Sequence, residues 1–131
     1  MINRELINPQ SIVVVGGSNN VHKPGGRLVR NLLDGKYKGE LYVVNAKEDD
    51  VQGLKSYHSV HDIPETELAI ISIPGPACPE AVDVLAKQKN VKAFIVISAG
   101  FGEETHEGAI LEEQMLKSIN EAGASLIGPN C

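Results

Sequence analysis

The chain has 131 residues, which is enough for one domain with a substantial core. Its net charge of −5 argues against nucleic-acid binding, and no apolar run approaches the roughly 20 residues that a membrane span requires. The start of the chain lacks the basic and apolar regions of a signal peptide, and two cysteines are too few for a disulfide framework, so we expect a cytoplasmic protein.

The first predicted element is a buried strand over residues 11–15 that runs into a glycine-rich stretch. The stretch reads Gly16-Gly17-Ser18-Asn19-Asn20 and, after three further residues, Pro24-Gly25-Gly26-Arg27, where a helix is predicted to begin. Glycines let the backbone approach a ligand closely, and the N-terminus of a helix attracts anions. This combination indicates a site for the phosphates of a nucleotide-like cofactor.

Four further apolar, β-branched runs predict strands over residues 41–45, 68–73, 92–97 and 125–127, and helical periodicity lies between most of them. The three predicted helices carry apolar stripes formed by Leu28, Val29, Leu32 and Leu33, by Ala81, Val82, Leu85 and Ala86, and by Leu111, Met115, Ile119 and Ala122. Residues 48–67 are weakly periodic and predict a loop with a short helix. Apolar strands that alternate with helices indicate an α/β fold, a Rossmann-like doubly wound parallel five-stranded sheet with helices on both faces, in one domain over residues 1–131.

Glycine, proline and small polar residues follow every predicted strand. The five tips are residues 16–18, 45–47, 73–76, 98–101 and 128–130. In doubly wound sheets the ligand lies beyond the carboxyl ends of the strands, so these tips predict one ligand-binding edge. The alternative is that they are ordinary turn residues, because turns favour the same residue types.

The residues of this edge discriminate between cofactors. A dinucleotide site needs Gly-x-Gly-x-x-Gly in the first turn and an acidic residue after the second strand. The first turn here has another glycine spacing, and the second strand ends in Asn45, with Lys47 two positions later. This pattern disfavours NAD and, less strongly, NADP. A cation at Lys47 suits a cofactor with a phosphate on its ribose, such as coenzyme A.

Five motifs in order resemble one family along almost the whole chain. They are Ser-Ile-Val-Val-Val-Gly-Gly-Ser at residues 11–18, Lys-Pro-Gly-Gly-Arg at 23–27, Tyr-Val-Val-Asn-Ala-Lys at 42–47, Ile-Ser-Ala-Gly-Phe at 97–101 and Ile-Gly-Pro-Asn-Cys at 127–131. Together they resemble the CoA-binding domain of nucleoside-diphosphate-forming acyl-CoA synthetases, the family of ADP-forming acetyl-CoA synthetases and of the succinyl-CoA synthetase α subunit.

The resemblance implies a coenzyme A site. The phosphates would lie among Gly16, Gly17, Ser18, Asn19 and Asn20 and the helix start at Gly25, Gly26 and Arg27. Asn45 and Lys47 would lie near the adenosine and its 3′-phosphate, Ile73 and Pro74 beside the adenine or pantetheine, and Ser98, Ala99, Gly100 and Phe101 along the path to the thiol. The family usually has proline where this chain has Ala46, so a looser loop is expected around Lys47.

The resemblance also implies partners. In such synthetases a histidine in a following domain carries phosphate, and an ATP-grasp domain binds the nucleotide, so this chain is expected to be the N-terminal part of a longer enzyme without a complete catalytic site. His22, His58, His61 and His106 do not fit the phosphate carrier. We expect His58, His61 and His106 at the surface and Cys78 as a packing residue at a helix start. The remaining alternatives are an NAD(P)-binding oxidoreductase domain and a stand-alone module that senses CoA or nucleotides.

Overall fold

The computed structural model describes residues 9–97 and 106–127. The strands are β1 (Ser11–Val15), β2 (Glu40–Val44), β3 (Asp50–Val51), β4 (Leu54–Tyr57), β5 (Leu68–Ile71), β6 (Ala93–Val96) and β7 (Ser125–Ile127). The helices are α1 (Pro24–Asp34), α2 (Cys78–Gln88) and α3 (His106–Glu121), and 3₁₀ turns lie at Val60–Asp62 and Gly75–Ala77. No helix in the described part of the chain is long and apolar enough to cross a membrane.

The seven strands form one sheet in the order β3-β4-β2-β1-β5-β6-β7. Strands β1, β2, β4, β5, β6 and β7 pair in parallel, whereas β3 runs antiparallel to β4. After β1 the chain adds strands on one side, and from β5 onward it adds them on the other side. The strand order therefore reverses between β1 and β5, which is where a doubly wound sheet binds its ligand.

The side chains of β1 alternate between two cores, one on each face of the sheet. Val13 and Val15 belong to the core that packs under α2 and α3, and Ile12 and Val14 belong to the core under α1. A strand that is buried on both faces reads as a continuous apolar run, which explains why the run Ile-Val-Val-Val predicts β1 correctly. The Rossmann-like α/β class and the helices on both faces are confirmed.

The sheet contains two strands more than the five expected. The additional strands, β3 and β4, form a hairpin inside residues 48–67, where a loop with a short helix was expected; the short helix is the 3₁₀ turn Val60–Asp62. Strands of two and four residues are too short to show a clear period. The turn between them has positive φ at Gln52 (51°) and Gly53 (89°), but it lacks the Asn-Gly pair that usually marks such a hairpin.

A polar cluster joins α2 to α3 on the face opposite α1. Asp83 Oδ1 accepts hydrogen bonds from Ser118 Oγ (2.8 Å) and Lys87 Nζ (3.0 Å), and Lys87 Nζ also lies 2.9 Å from Glu121 Oε1. These hydrogen bonds, that of Lys87 first and that of Ser118 second, hold the pKa of Asp83 below its ordinary value. The cluster stabilises the packing of two helices and lies away from the carboxyl edge of the sheet.

Candidate cofactor-binding site

A cleft of about 540 Å³ opens at the carboxyl ends of β1, β2 and β5. Its apolar lining comes from Val15, Val44, Val60, Ile73 and Ala81, among others. Lys23, Lys47 and His58 contribute cationic or potentially cationic side chains, and Ser18, Asn45, Ser59 and Ser72 contribute small polar ones. An apolar lining with a few polar and cationic groups is suited to a ligand that combines a flat or aliphatic part with phosphates.

The turn after β1 requires glycine at position 16 because the backbone there packs closely against the end of β5. Gly16 has a φ of +93°, and its N–H donates to the Val44 carbonyl at 2.8 Å. A Cβ added to Gly16 would collide with the carbonyl of Ser72, which follows β5. The tips of β1, β2 and β5 are therefore held together at the point where the strand order reverses.

Gly25 and Gly26 place the start of α1 directly against the glycine-rich loop, defined here as residues 16–23. A Cβ on Gly25 would collide with the Gly16 carbonyl, and a Cβ on Gly26 would collide with the Asn20 carbonyl. Lys23 occupies the N-cap position of α1 and makes no side-chain capping hydrogen bond. The loop and the helix N-terminus thus form one surface whose backbone N–H groups and dipole favour an anion.

Two polar side chains of the glycine-rich loop bond to the loop itself. Ser18 Oγ accepts from the Asn20 N–H at 3.0 Å, and Asn20 Oδ1 accepts from the His22 N–H at 2.9 Å. Asn19 bonds instead to the β3–β4 hairpin, with Nδ2 2.9 Å from the Asp50 carbonyl. These three side chains shape the loop, which leaves its backbone groups and the Lys23 side chain to contact a ligand.

Asn45 joins the tips of β1 and β2. Its Nδ2 donates to the Gly17 carbonyl at 2.8 Å, and its Oδ1 accepts from the N–H groups of Lys47 (2.8 Å) and Glu48 (3.0 Å). The last two bonds form an Asx turn, which holds the backbone at Lys47 although position 46 is alanine. Asn45 therefore positions Lys47 as well as facing the cleft.

The structure brings together many of the predicted site residues. Gly16, Ser18, Asn45, Lys47, Ile73 and Pro74 line the cleft. Gly17, Asn19, Asn20, Gly25, Gly26 and Arg27 belong to the loop and helix start beside it, with Arg27 exposed. Ser98, Ala99, Gly100 and Phe101 and the predicted tip at residues 128–130 lie outside the described residues.

Some residues of the cleft were not predicted from the sequence. Lys23 lines the cleft, and so does His58, for which only a surface position was expected. His58 is about half exposed, and its Nε2 lies 2.8 Å from Asp49 Oδ1. His58 directly follows β4, so it also lies at the carboxyl end of a strand. The sequence does not reveal this position because the β3–β4 hairpin is not apparent from it. His22 is exposed and does not line the cleft.

Cys78 begins α2 as expected, is fully buried, and has its Sγ 3.7 Å from the Ile73 carbonyl and 3.6 Å from the Pro74 carbonyl. Within residues 9–97 and 106–127, no group of three or more His, Cys, Asp or Glu side chains is placed to hold a metal ion.

A doubly wound sheet with a glycine-rich loop and a helix start at its switch point defines a Rossmann-like nucleotide-cofactor domain. Residues 10–131 match the sequence profile of the CoA binding domain, and the chain belongs to that family. The expected cofactor, coenzyme A, is thereby confirmed, and the family does not favour the oxidoreductase alternative.

The chain is also similar to individual proteins. It is 39% identical over 128 residues to the ADP-forming acetate–CoA ligase II of Archaeoglobus fulgidus, covering 97% of this chain and 19% of the relative. It is 39% identical to the α subunit of the corresponding Pyrococcus furiosus ligase, covering 96% of this chain and 27% of that subunit. The chain therefore spans about a fifth to a quarter of the length of these relatives.

A solved structure shares both sequence and fold. The apo dinucleotide-forming acetyl-coenzyme A synthetase 1 of Candidatus Korarchaeum cryptofilum superposes with a TM-score of 0.85 at 34% identity. The similarity covers 97% of this chain and 27% of that chain. The chain therefore corresponds to one domain of such an enzyme.

Proposed function

We propose that this chain is the CoA-binding module of an ADP-forming acyl-CoA ligase. The observation that carries the proposal is a cleft at the switch point, formed by a glycine-rich loop, a helix N-terminus and two lysines, in a chain of the CoA binding domain family. Coenzyme A supplies the thiol that accepts the acyl group, and this chain binds and orients it. The acid-binding, phosphohistidine and ATP-grasp machinery would belong to other domains or subunits of the enzyme.

The groups of the cleft fit the parts of this cofactor. The backbone of the glycine-rich loop and the first turn of α1 would bind the phosphates. Lys47, held by the Asx turn at Asn45, would bind the 3′-phosphate, and Lys23 adds a second positive charge at the same cleft. Ile73 and Pro74 would contact the adenine or pantetheine. The predicted path to the thiol along Ser98, Ala99, Gly100 and Phe101 stays a proposal.

Local charge matters because the net negative charge of this chain opposes the approach of an anion. The net charge is −5, so long-range attraction does not deliver a polyanion to the cleft. Lys23 and Lys47 therefore provide the attraction at short range, and affinity for CoA is expected to fall as ionic strength rises.

Isothermal titration calorimetry with CoA tests the proposal, with NAD and NADP as parallel controls. Binding of CoA without binding of either nicotinamide cofactor is the expected result. Binding of a nicotinamide cofactor in preference to CoA would contradict the proposed function and would return the oxidoreductase alternative.

The compartment follows as a secondary proposal. We place the enzyme in the cytoplasm, supported by the buried thiol of Cys78 and a cysteine content typical of a reduced protein. Cell fractionation that recovered the native protein with the membrane or secreted fraction would contradict this placement.

A further inference from the structure

The turn of the β3–β4 hairpin is bonded directly to the glycine-rich loop. The side-chain amide of Gln52 donates from Nε2 to the Ser18 carbonyl (2.8 Å) and to the Gly26 carbonyl (2.9 Å). In addition, the Gln52 N–H donates to Asn19 Oδ1 at 2.7 Å, and Asn19 Nδ2 donates to the Asp50 carbonyl at 2.9 Å. Four hydrogen bonds thus join a hairpin that sequence reasoning missed to the loop that is proposed to bind phosphates.

Gln52 is energetically unfavourable in this position for two reasons. Its φ of +51° lies in the left-handed region, which asparagine or glycine adopts far more readily. Its Oε1 is buried and has no hydrogen-bond partner among the described residues. The opposite orientation of the amide would point Oε1 at the carbonyls of Ser18 and Gly26, which only a donor satisfies. Gln52 is therefore unfavourable for the turn, but its side chain reaches both carbonyls and has two amide hydrogens to donate to them.

The two accepting carbonyls identify what Gln52 holds in place. Ser18 belongs to the glycine-rich loop and lines the cleft, and Gly26 belongs to the first turn of α1. These two segments together form the surface proposed for the phosphates. One amide that bridges them fixes their relative position before any ligand binds, which reduces the ordering cost of binding.

We propose that Gln52 is a positioning residue for the phosphate-binding surface: its amide clamps the glycine-rich loop to the start of α1, and this clamp makes the hairpin part of the coenzyme A site. The identity of the ligand rests on the proposed function, whereas the clamp itself can be measured without ligand.

The substitution Gln52→Asn removes the clamp but keeps the turn of the hairpin. Asparagine favours positive φ, and Asn-Gly is the preferred pair for this kind of hairpin, so the turn is retained or improved. The side chain is shorter by one carbon–carbon bond, about 1.5 Å, and no longer reaches both carbonyls. If the loop then occupies its binding conformation about a tenth of the time, the Kd for CoA in calorimetry rises roughly tenfold.

Gln52→Glu supplies a readout that a purely structural role would not move. The carboxylate faces the carbonyls of Ser18 and Gly26 without a hydrogen to donate, so CoA affinity falls at about pH 7.5. Protonation restores one donor, so the ratio of variant to wild-type Kd is expected to shrink as the pH is lowered toward about 5.5. The ratio for Gln52→Asn is expected to stay constant over the same range.

Ile119→Val is the matched control for loss of stability. Ile119 is 1% exposed in the core under α2 and α3, on the other face of the sheet from α1. Loss of one buried methyl group lowers stability but leaves the Kd for CoA unchanged as long as the chain is folded. Wild-type CoA affinity in both Gln52 variants, or an equal loss in Ile119→Val, would overturn the clamp proposal.

Amide NMR spectra of the ligand-free chain test the clamp independently of CoA. In the wild type, Gly17 and Asn19 are expected to give single sharp amide signals, because the clamp holds the loop in one conformation. In Gln52→Asn these signals are expected to broaden or shift, while signals from α3 are unchanged. Unchanged signals at Gly17 and Asn19 would overturn the clamp, whereas a wild-type chain that shows the clamp but binds no CoA would overturn only the proposed function.

Discussion

Replacing Lys47 tests whether the cleft recognises the 3′-phosphate of coenzyme A. Two unit charges about 4 Å apart interact by about 1 kcal/mol in water and about 4 kcal/mol near a protein surface. Lys47 is exposed, so we take the lower part of this range, about 1 kcal/mol or slightly more, for its attraction to the 3′-phosphate. Lys47→Ala is therefore expected to weaken CoA binding roughly five- to tenfold.

Dephospho-CoA, which lacks the 3′-phosphate, makes the assay specific. Calorimetry of wild type and Lys47→Ala with both ligands gives a thermodynamic cycle, in which the variant is expected to lose less than about twofold in affinity for dephospho-CoA. Lys38→Ala is the matched control, because it removes the same charge from an exposed lysine before β2, at the opposite end of the strands. Equal losses for CoA and dephospho-CoA would refute the assignment of Lys47 to the 3′-phosphate.

Three further predictions concern the packing and stability of the chain. Gly26→Ala places a Cβ against the carbonyls of Asn20 and Ser18, so thermal or urea unfolding should show a loss of about 1–3 kcal/mol together with weaker CoA binding; unaltered stability would contradict the packing of α1 on the loop. Met115→Ala empties a fully buried position and should cost roughly 2–5 kcal/mol in urea unfolding without changing the CoA affinity of the folded chain. The pKa of Asp83 is lowered in the folded state, so its carboxylate contributes to stability above the ordinary carboxyl pKa, and this contribution is lost as the pH falls through the lowered folded-state pKa. In thermal melts, the difference in stability between the wild type and Asp83→Asn should therefore shrink in acid. A difference that stays constant with pH would contradict this.

The fold could be predicted largely because its strands are buried on both faces. Continuous β-branched runs such as residues 12–15 leave little ambiguity. The hairpin escaped prediction because β3 has only two residues and its turn uses Gln52 in place of asparagine. The same residue therefore explains both a missed element and the proposed clamp.

The position of the candidate site could be predicted from the sequence, but the structural roles of its individual residues could not. The pattern of strand tips placed Gly16, Ser18 and Lys47 correctly at the carboxyl edge. The glycine-rich pattern and the family resemblance assigned Gly25 and Asn45 to the ligand, and the structure shows what else these two residues do. Gly25 is glycine because the Gly16 carbonyl occupies the position of its Cβ, and the Asn45 side chain joins two strand tips. Such contacts join segments far apart in sequence, which local patterns do not reveal.

We propose that coenzyme A binds at the carboxyl edge of the sheet, beside β1, β2 and β5. Chemical-shift mapping of the backbone amides during titration with CoA tests this placement. We predict the largest shifts at Gly17, Ser18, Gly25 and Lys47, with little change at Tyr37 and Lys38 at the opposite end of the strands. Saturating CoA that shifted only the signals at the opposite end, or none of the signals around the cleft, would contradict the claim.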